Sequence, residues 1–219
     1  MKKILFTGFE PFGQDSVNPS WDAVSLLPDR IGDILIVKRR MPVVYDGVAA
    51  PLAAAIEEEK PDAVLCVGQA GGRAVLTPEF VAINLKDAAV PDNAGVSYDG
   101  EPIRADGPAA YFATVPVKAI AAAMKEAGVP AAVSYTAGTY VCNSIMYHLL
   151  STLEQHSPQT KGGFIHIPFS CEQVLGRSAS TPSLPLPLMA KGLEAAAKAV
   201  GEFLENGGED LREATGSTH

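Results

Sequence analysis

The chain has 219 residues, 47% of them hydrophobic and 19% charged, with a formal net charge of −8. That apolar content can bury a full core in one domain, while the acidic balance and the lack of any Lys/Arg cluster exclude a nucleic-acid face, which needs basic groups to displace counterions from phosphates. No run of about 18 apolar residues occurs, so no membrane span is expected, and three cysteines without a CxxC spacing suggest neither a disulfide framework nor a zinc knuckle.

The opening "MKKILFTGFEPFG" has an apolar run of only Ile4 to Phe6 before Thr7 and Gly8 break it, too short for a signal peptide. It reads as a first strand of a chain that stays in the cytoplasm with reduced thiols. The strand "DILIVKRRM" follows, then a helix over 45–59 with Val48, Leu52, Ala55 and Ile56 at helical spacing. "DAVLCVGQ" and "FVAINL" read as strands, and from Lys86 to Pro108 a Pro/Gly/Asp/Asn-rich connection shows no apolar periodicity. Connections longer than about 12–15 residues are usually functional, so a lid or assembly loop is expected there. A helix over about 115–127, the strand "AAVSYT", a helix over 143–155, the strand "GFIHIPF" and a helix over 186–206 complete the pattern, with about 207–219 expected to fray. Several strands are apolar almost throughout, as strands covered on both faces must be. The expected fold is α/β: one domain, residues 1–219, forming a three-layer α/β/α sandwich around a mixed, mostly parallel sheet.

Chemistry concentrates at "TYVCNSIMY", where Cys142 precedes Ile145, Met146, Leu149 and Leu150 at helical spacing and follows a turn containing Gly138. A buried thiol is commonly a core filler. A helix N-terminus changes that reading, because unpaired amides and the positive end of the macrodipole favour the thiolate and can hold an oxyanion. Cys66, inside "AVLCVG", reads as core, and Cys171 as a bystander in a turn. Among the histidines, His166 ends an apolar strand, where open α/β sheets place ligand sites; His148 lies within a helix, His156 in a polar turn, and His219 is the last residue. Glu79, heading an apolar strand, is a candidate to orient the imidazole, since a carboxylate there is costly to bury unpaired. "GQAGGR" lacks both the G-x-G-x-x-G spacing and a Walker Lys-Ser/Thr, so a nucleotide is not expected.

Taken in order, "FTGFEPFG", "NPSW", "GQAGGR", "PEFVAIN", "PDN", "DGPAAYFATVPVKAI", "AGTYVCNSIMY" and "FIHIPF" make the chain resemble the pyroglutamyl peptidase I family of cysteine peptidases. The resemblance implies a cytosolic exopeptidase that removes N-terminal pyroglutamate from peptides without metal or cofactor, commonly as a homotetramer. Carried over residue by residue, it implies Cys142 as nucleophile, His166 as acid/base and Glu79 as its orienter. It also implies a lactam slot walled by Phe9, Phe12, Asn18, Gln69, Gly71, Val90, Tyr140 and Val141. The chain departs from the family at Ala89, where "DAAVPDN" replaces the usual "DARIPDN", and at Ser144, Ser170 and Cys171. The usual arginine is thought to help the oxyanion or substrate carbonyl; losing one such donor costs about 2.7–4 kcal/mol of transition-state stabilisation. Arg73 and Arg104 are the nearby candidates to replace it. A second reading follows, a relative that binds blocked N-termini without efficient turnover.

Overall fold

In a computed structural model describing residues 1–216, alternation along the strands builds two cores. In β1 (Lys2–Phe9) Ile4 and Phe6 enter one core while Leu5 and Phe9 enter the other. In β4 (Ala63–Gln69) Leu65 and Val67 part in the same way from Val64 and Cys66. Residues two apart share a face of a pleated strand, so a strand apolar throughout needs cover on both sides.

The remaining elements supply that cover. In chain order they are α1 (Pro19–Ser25), β2 (Arg30–Ile31), β3 (Ile34–Met41), α2 (Ala49–Glu59), β5 (Thr77–Glu79), β6 (Val81–Ile83), β7 (Lys86–Ala88), β8 (Tyr98–Glu101), β9 (Ala110–Phe112), α3 (Val117–Glu126), α4 (Val141–His156), β10 (Lys161–Ile167), β11 (Phe169–Ser170), β12 (Ser183–Leu184) and α5 (Leu186–Asn206). The six-stranded sheet runs β2-β3-β1-β4-β10-β5, parallel in its centre, with antiparallel β2 and β5 at its edges. Helices α1, α3 and α5 bury apolar residues against one face, and α2 and α4 against the other. This is the expected α/β class with a mixed, mostly parallel sheet.

Three local features differ from the sequence reading. "AAVSYT" forms no strand; it touches the sheet only through isolated bridges Leu76↔Ala131 and Glu79↔Ser134. "FVAINL" is a strand only over Val81–Ile83 and lies outside the main sheet: the Phe80 N–H donates to the Ser134 carbonyl and its own carbonyl accepts from Ala113, and β6 pairs with β9. The unforeseen α1 opens with Asn18, whose side chain accepts from the Ser20 N–H, and has Pro19 in its first turn, a helix-start signal present in "NPSW".

The long connection is not structureless. It holds the β7–β8 hairpin, and its "PDN" segment is tied down: Asp92 accepts from the amides of Tyr45, Ala94 and Val96, and Asn93 donates to Glu10 and to the Pro11 carbonyl. Beyond α5 the described tail has no regular structure, yet the Asp210 carboxylate accepts from the amides of Lys118 and Ala119 at the start of α3. The last positions of the expected frayed segment, 217–219, with His219, lie outside the described residues.

Candidate active site

β1 and β4 lie side by side, while the chain leaving β1 returns as β3 on the far side of β1 and the chain leaving β3 crosses to β4. Their carboxyl ends therefore form a topological switch point, the place where open α/β sheets hold ligands. Phe9 ends β1 and Gln69 ends β4, and a small pocket opens there, lined by Phe9, Phe12, Asn18, Val43, Gln69, Tyr140, Val141 and Cys142. It is narrow and its walls are mostly apolar.

The thiol reaches this pocket because of how α4 starts. Gly138 turns the chain with φ of +75°, a left-handed conformation that side chains resist. α4 then begins at Val141, two residues before the expected start, which places Cys142 within the first turn. No side chain caps that turn, leaving its first amides free to meet a developing negative charge. The sulfur sits over Gly68 of β4, 2.8 Å from where a β-carbon on that residue would lie, with the Phe164 ring 2.6 Å from the same point. Gly68→Ala is therefore expected to displace the sulfur and lower kcat/KM by about 10²-fold. Steady-state kinetics on the purified variant checks this, and unchanged activity would show that the sulfur's seat does not matter.

Gly68 is the register partner of His166 across the parallel β4–β10 pair, so the imidazole lies beside the thiol's seat on the α4 face of the sheet. On the other side of β10, antiparallel β5 sets Thr77 opposite His166 and Glu79 opposite Phe164. Glu79 is fully buried, and its Oε1 lies 2.7 Å from His166 Nδ1. A carboxylate only accepts, so Nδ1 carries the hydrogen and Nε2 is the basic nitrogen. Cys142, His166 and Glu79, from three distant parts of the chain, thus meet at one end of the sheet.

Sequence reasoning did not foresee what holds Glu79. Arg73 of "GQAGGR" donates from Nη1 to the same Glu79 oxygen at 2.5 Å and to Thr77, and from Nη2 to the Thr136 carbonyl at 3.2 Å. The guanidinium balances a carboxylate that could not stay buried alone. Asn143, next to the thiol, is also structural: its amide accepts from the Ile83 N–H at 2.9 Å and donates to the carbonyls of Ile83 and Leu85 at 2.8 and 3.0 Å, clamping α4 to β6. A polar residue in an otherwise apolar helix was the available signal for Asn143; Arg73, in a glycine-rich turn, offered none.

The surroundings of the thiol act against the helix start. Burial pushes the Cys142 thiol up to about 12, with the Glu79 charge adding to the rise and Arg73 and the residue's own amide opposing it. Together these effects favour the thiol over the thiolate, against the pull of the helix N-terminus. Burial also lowers the His166 pKa below its ordinary 6.5, against the opposing effect of the Glu79 hydrogen bond. The resting pair is therefore neutral. Cys66 is closed off in the core, where burial likewise raises its pKa to about 12.

Two residues of the expected slot fall outside the pocket lining. Val90 is 57% exposed beyond β7, and Gly71 instead leaves room for the Phe169 ring, whose Cζ would lie 2.4 Å from a β-carbon there. Val43, not foreseen, lines the wall. Among the described residues no cationic side chain lines the pocket: Ala89 is exposed, Arg73 is engaged with Glu79, and Arg104 bonds Ser151 and Asp106. Ser151 is nine residues beyond Cys142 on α4, about 13 Å along the helix axis. Of the other departures, Ser144 and Ser170 are buried and Cys171 is half-buried.

A family model described as pyroglutamyl peptidase matches residues 2–202. The chain is 52% identical over 206 residues to a pyrrolidone-carboxylate peptidase of Thermococcus kodakarensis, covering 94% of this chain and 99% of that one. With a pyrrolidone-carboxylate peptidase of Lactobacillus johnsonii it shares 51% identity over 217 residues, covering 99% of this chain and 100% of the relative. Among solved structures, the crystal structure of Bacillus amyloliquefaciens pyroglutamyl peptidase I matches with a TM-score of 0.91 and 47% identity, covering 96% of this chain and 100% of that chain. A pyrrolidone carboxyl peptidase from Thermococcus litoralis matches with a TM-score of 0.94 and 37% identity, covering 98% and 100%. With near-complete coverage in both directions, and a thiol, an imidazole and a carboxylate gathered beside a small apolar pocket, the chain belongs to the pyroglutamyl peptidase family of cysteine peptidases.

Proposed function

We propose that the protein hydrolyses the bond after an N-terminal pyroglutamyl residue of a peptide, with Cys142 as nucleophile, His166 as acid and base, and Glu79 as the group that orients the imidazole. The observation that carries this reading is the seating of the Cys142 sulfur over Gly68, beside the His166–Glu79 pair and at the mouth of a small apolar pocket. The lactam ring lies between Phe9, Phe12 and Val141, and Tyr140 is held against Phe12 and Tyr45 with ring centroids 6.0 and 5.4 Å apart.

Because the resting pair is neutral, the sulfur attacks the carbonyl carbon as His166 Nε2 takes its proton, and the carbonyl oxygen becomes an oxyanion facing the amides of the first turn of α4. Collapse breaks the C–N bond, and His166 gives the proton to the departing amine. A thioester remains. Water then attacks it, with His166 again taking the proton, and pyroglutamate leaves as the thiol is restored. The test is release of the chromophore from a pyroglutamyl p-nitroanilide under reducing conditions; no release at saturating substrate would sink the reading.

The same reading extends to assembly and location. A cytoplasmic homotetramer is supported by three free cysteines, consistent with a reducing compartment, and by an exposed aromatic face suited to a copy contact. In that face Phe112 and Tyr135 are 63% and 44% exposed and pack on Phe80. No helix among the described residues is long and apolar enough to cross a membrane. Sedimentation equilibrium should return about four times the chain mass, and a monomer at all concentrations would remove this part.

A further inference from the structure

An amide side chain can present either its oxygen or its NH2 group, and only its neighbours decide which. At the rim of the pocket that decision starts from a backbone group whose role is unambiguous. The Ser170 N–H can only donate, so the Gln173 atom 2.9 Å from it is Oε1, and the Ser170 hydroxyl accepts in return from the Gln173 N–H at 3.3 Å. This reciprocal pair is the capping-box pattern of Ser-x-x-Gln, present in the sequence as "SCEQ". The other terminus of Gln173 is then Nε2, which donates to Gln69 at 2.9 Å and lies 3.4 Å from an Asp15 oxygen. Nε2 has no acceptor capacity, so Gln69 answers with Oε1. The Nε2 of Gln69, a residue lining the pocket, has no partner among the described residues.

The frame around this relay is anchored. Arg177 donates to both Asp15 oxygens at 2.8 and 3.0 Å and stacks over the Phe169 ring at 4.3 Å, and that ring occupies the space that Gly71 leaves open. Resting on the pyroglutamyl reading, we infer that Gln173 is a positioning residue that turns the Gln69 amide so that its Nε2 serves as donor for the lactam carbonyl. This makes the Gln173–Gln69 pair a determinant of selectivity for a lactam over a cyclic amine. The pocket's other walls are largely apolar, and a prolyl ring, alike in shape, lacks the carbonyl and carries an amine that only donates. A site built to hydrogen-bond one group rejects the analogue that lacks it.

Gln173→Glu tests the relay. A carboxylate still accepts from the Ser170 N–H but cannot donate, so Gln69 turns its NH2 toward it and shows oxygen to the pocket. KM for pyroglutamyl p-nitroanilide is expected to rise about 10- to 100-fold with kcat within about threefold, and the preference over prolyl p-nitroanilide to fall by the same factor. In a Gln69→Leu background the same substitution is expected to leave KM within about twofold, because the residue through which it acts is gone. An unchanged KM, or an equal rise in both backgrounds, overturns the inference. Should Gln173→Glu fail to fold, Gln173→Met, which keeps the volume and removes the donor, runs the same cycle. Ligand-observed NMR with 2-pyrrolidinone separates this inference from the reading beneath it. Binding by the native protein that Gln173→Glu abolishes, without cleavage of the anilide, sustains the relay and removes the peptidase. Cleavage indifferent to Gln173→Glu does the reverse, and neither cleavage nor binding removes both.

Discussion

Replacing Cys142 by serine is expected to lower kcat on a pyroglutamyl p-nitroanilide by at least about 10⁴-fold, with the fold retained. Serine keeps the seat over Gly68 and the uncapped amides of α4, so substrate binding and the oxyanion contacts survive. What changes is the nucleophile: a hydroxyl is a far weaker acid than a thiol, and the imidazole that must deprotonate it is a weak base, since burial holds the His166 pKa below 6.5. Thermal unfolding and steady-state rates on the same preparation separate chemistry from folding. Activity within about tenfold of the native protein would remove Cys142 from the reaction.

Glu79→Gln is expected to lower kcat by about 10³- to 10⁴-fold, because an amide no longer enforces the His166 tautomer in which Nε2 is the base, nor stabilises the imidazolium that forms. The variant also has a signature in pH. In the native protein the acid limb of kcat/KM falls below 6.5, since activity needs the neutral imidazole and burial has lowered its pKa. The bond to Glu79 and its charge both raise that pKa. Removing them leaves burial and the Arg73 charge unopposed, both of which lower the pKa, so the acid limb moves to lower pH. A limb that stays or moves upward would show that Glu79 does not touch the imidazole that works. Gln retains an acceptor for Arg73, and with the guanidinium partly open to solvent the loss of stability should stay near 1–2 kcal/mol.

Legibility followed the range of the interactions involved. β1, β4 and β10 were readable because central strands bury both faces and so become apolar nearly throughout, and β3 because its first half, Ile34 to Val37, is an unbroken apolar run. α5 was readable because its apolar stripe repeats over 21 residues. "AAVSYT" has the composition of a strand, but its partner at the sheet edge accepts it only through single bridges. α1 was missed although Asn18 and Pro19 announce it, because its 7 residues are too few to show a period. At the site, the helix start singled out Cys142 and the strand ends His166 and Glu79 as candidates, which the ordered resemblance reinforced. Arg73 and Gln173 were not legible, since Arg73 acts through a carboxylate on β5 and Gln173 bonds a residue 104 positions away.

The protonation state of the thiol separates the two levels most clearly. Local pattern was enough to put Cys142 at a helix N-terminus, to assign an α/β sandwich, and to single out a thiol, an imidazole and a carboxylate as candidates, because these depend on periodicity and residue type. Whether the sulfur rests as thiol or thiolate depends on how much solvent reaches it and which charges surround it. Those follow from α4 lying over Gly68, from β5 bringing Glu79 alongside, and from Arg73 returning across 6 residues to neutralise it. Desolvation and charge pairing act through space, and distances through space are set by packing.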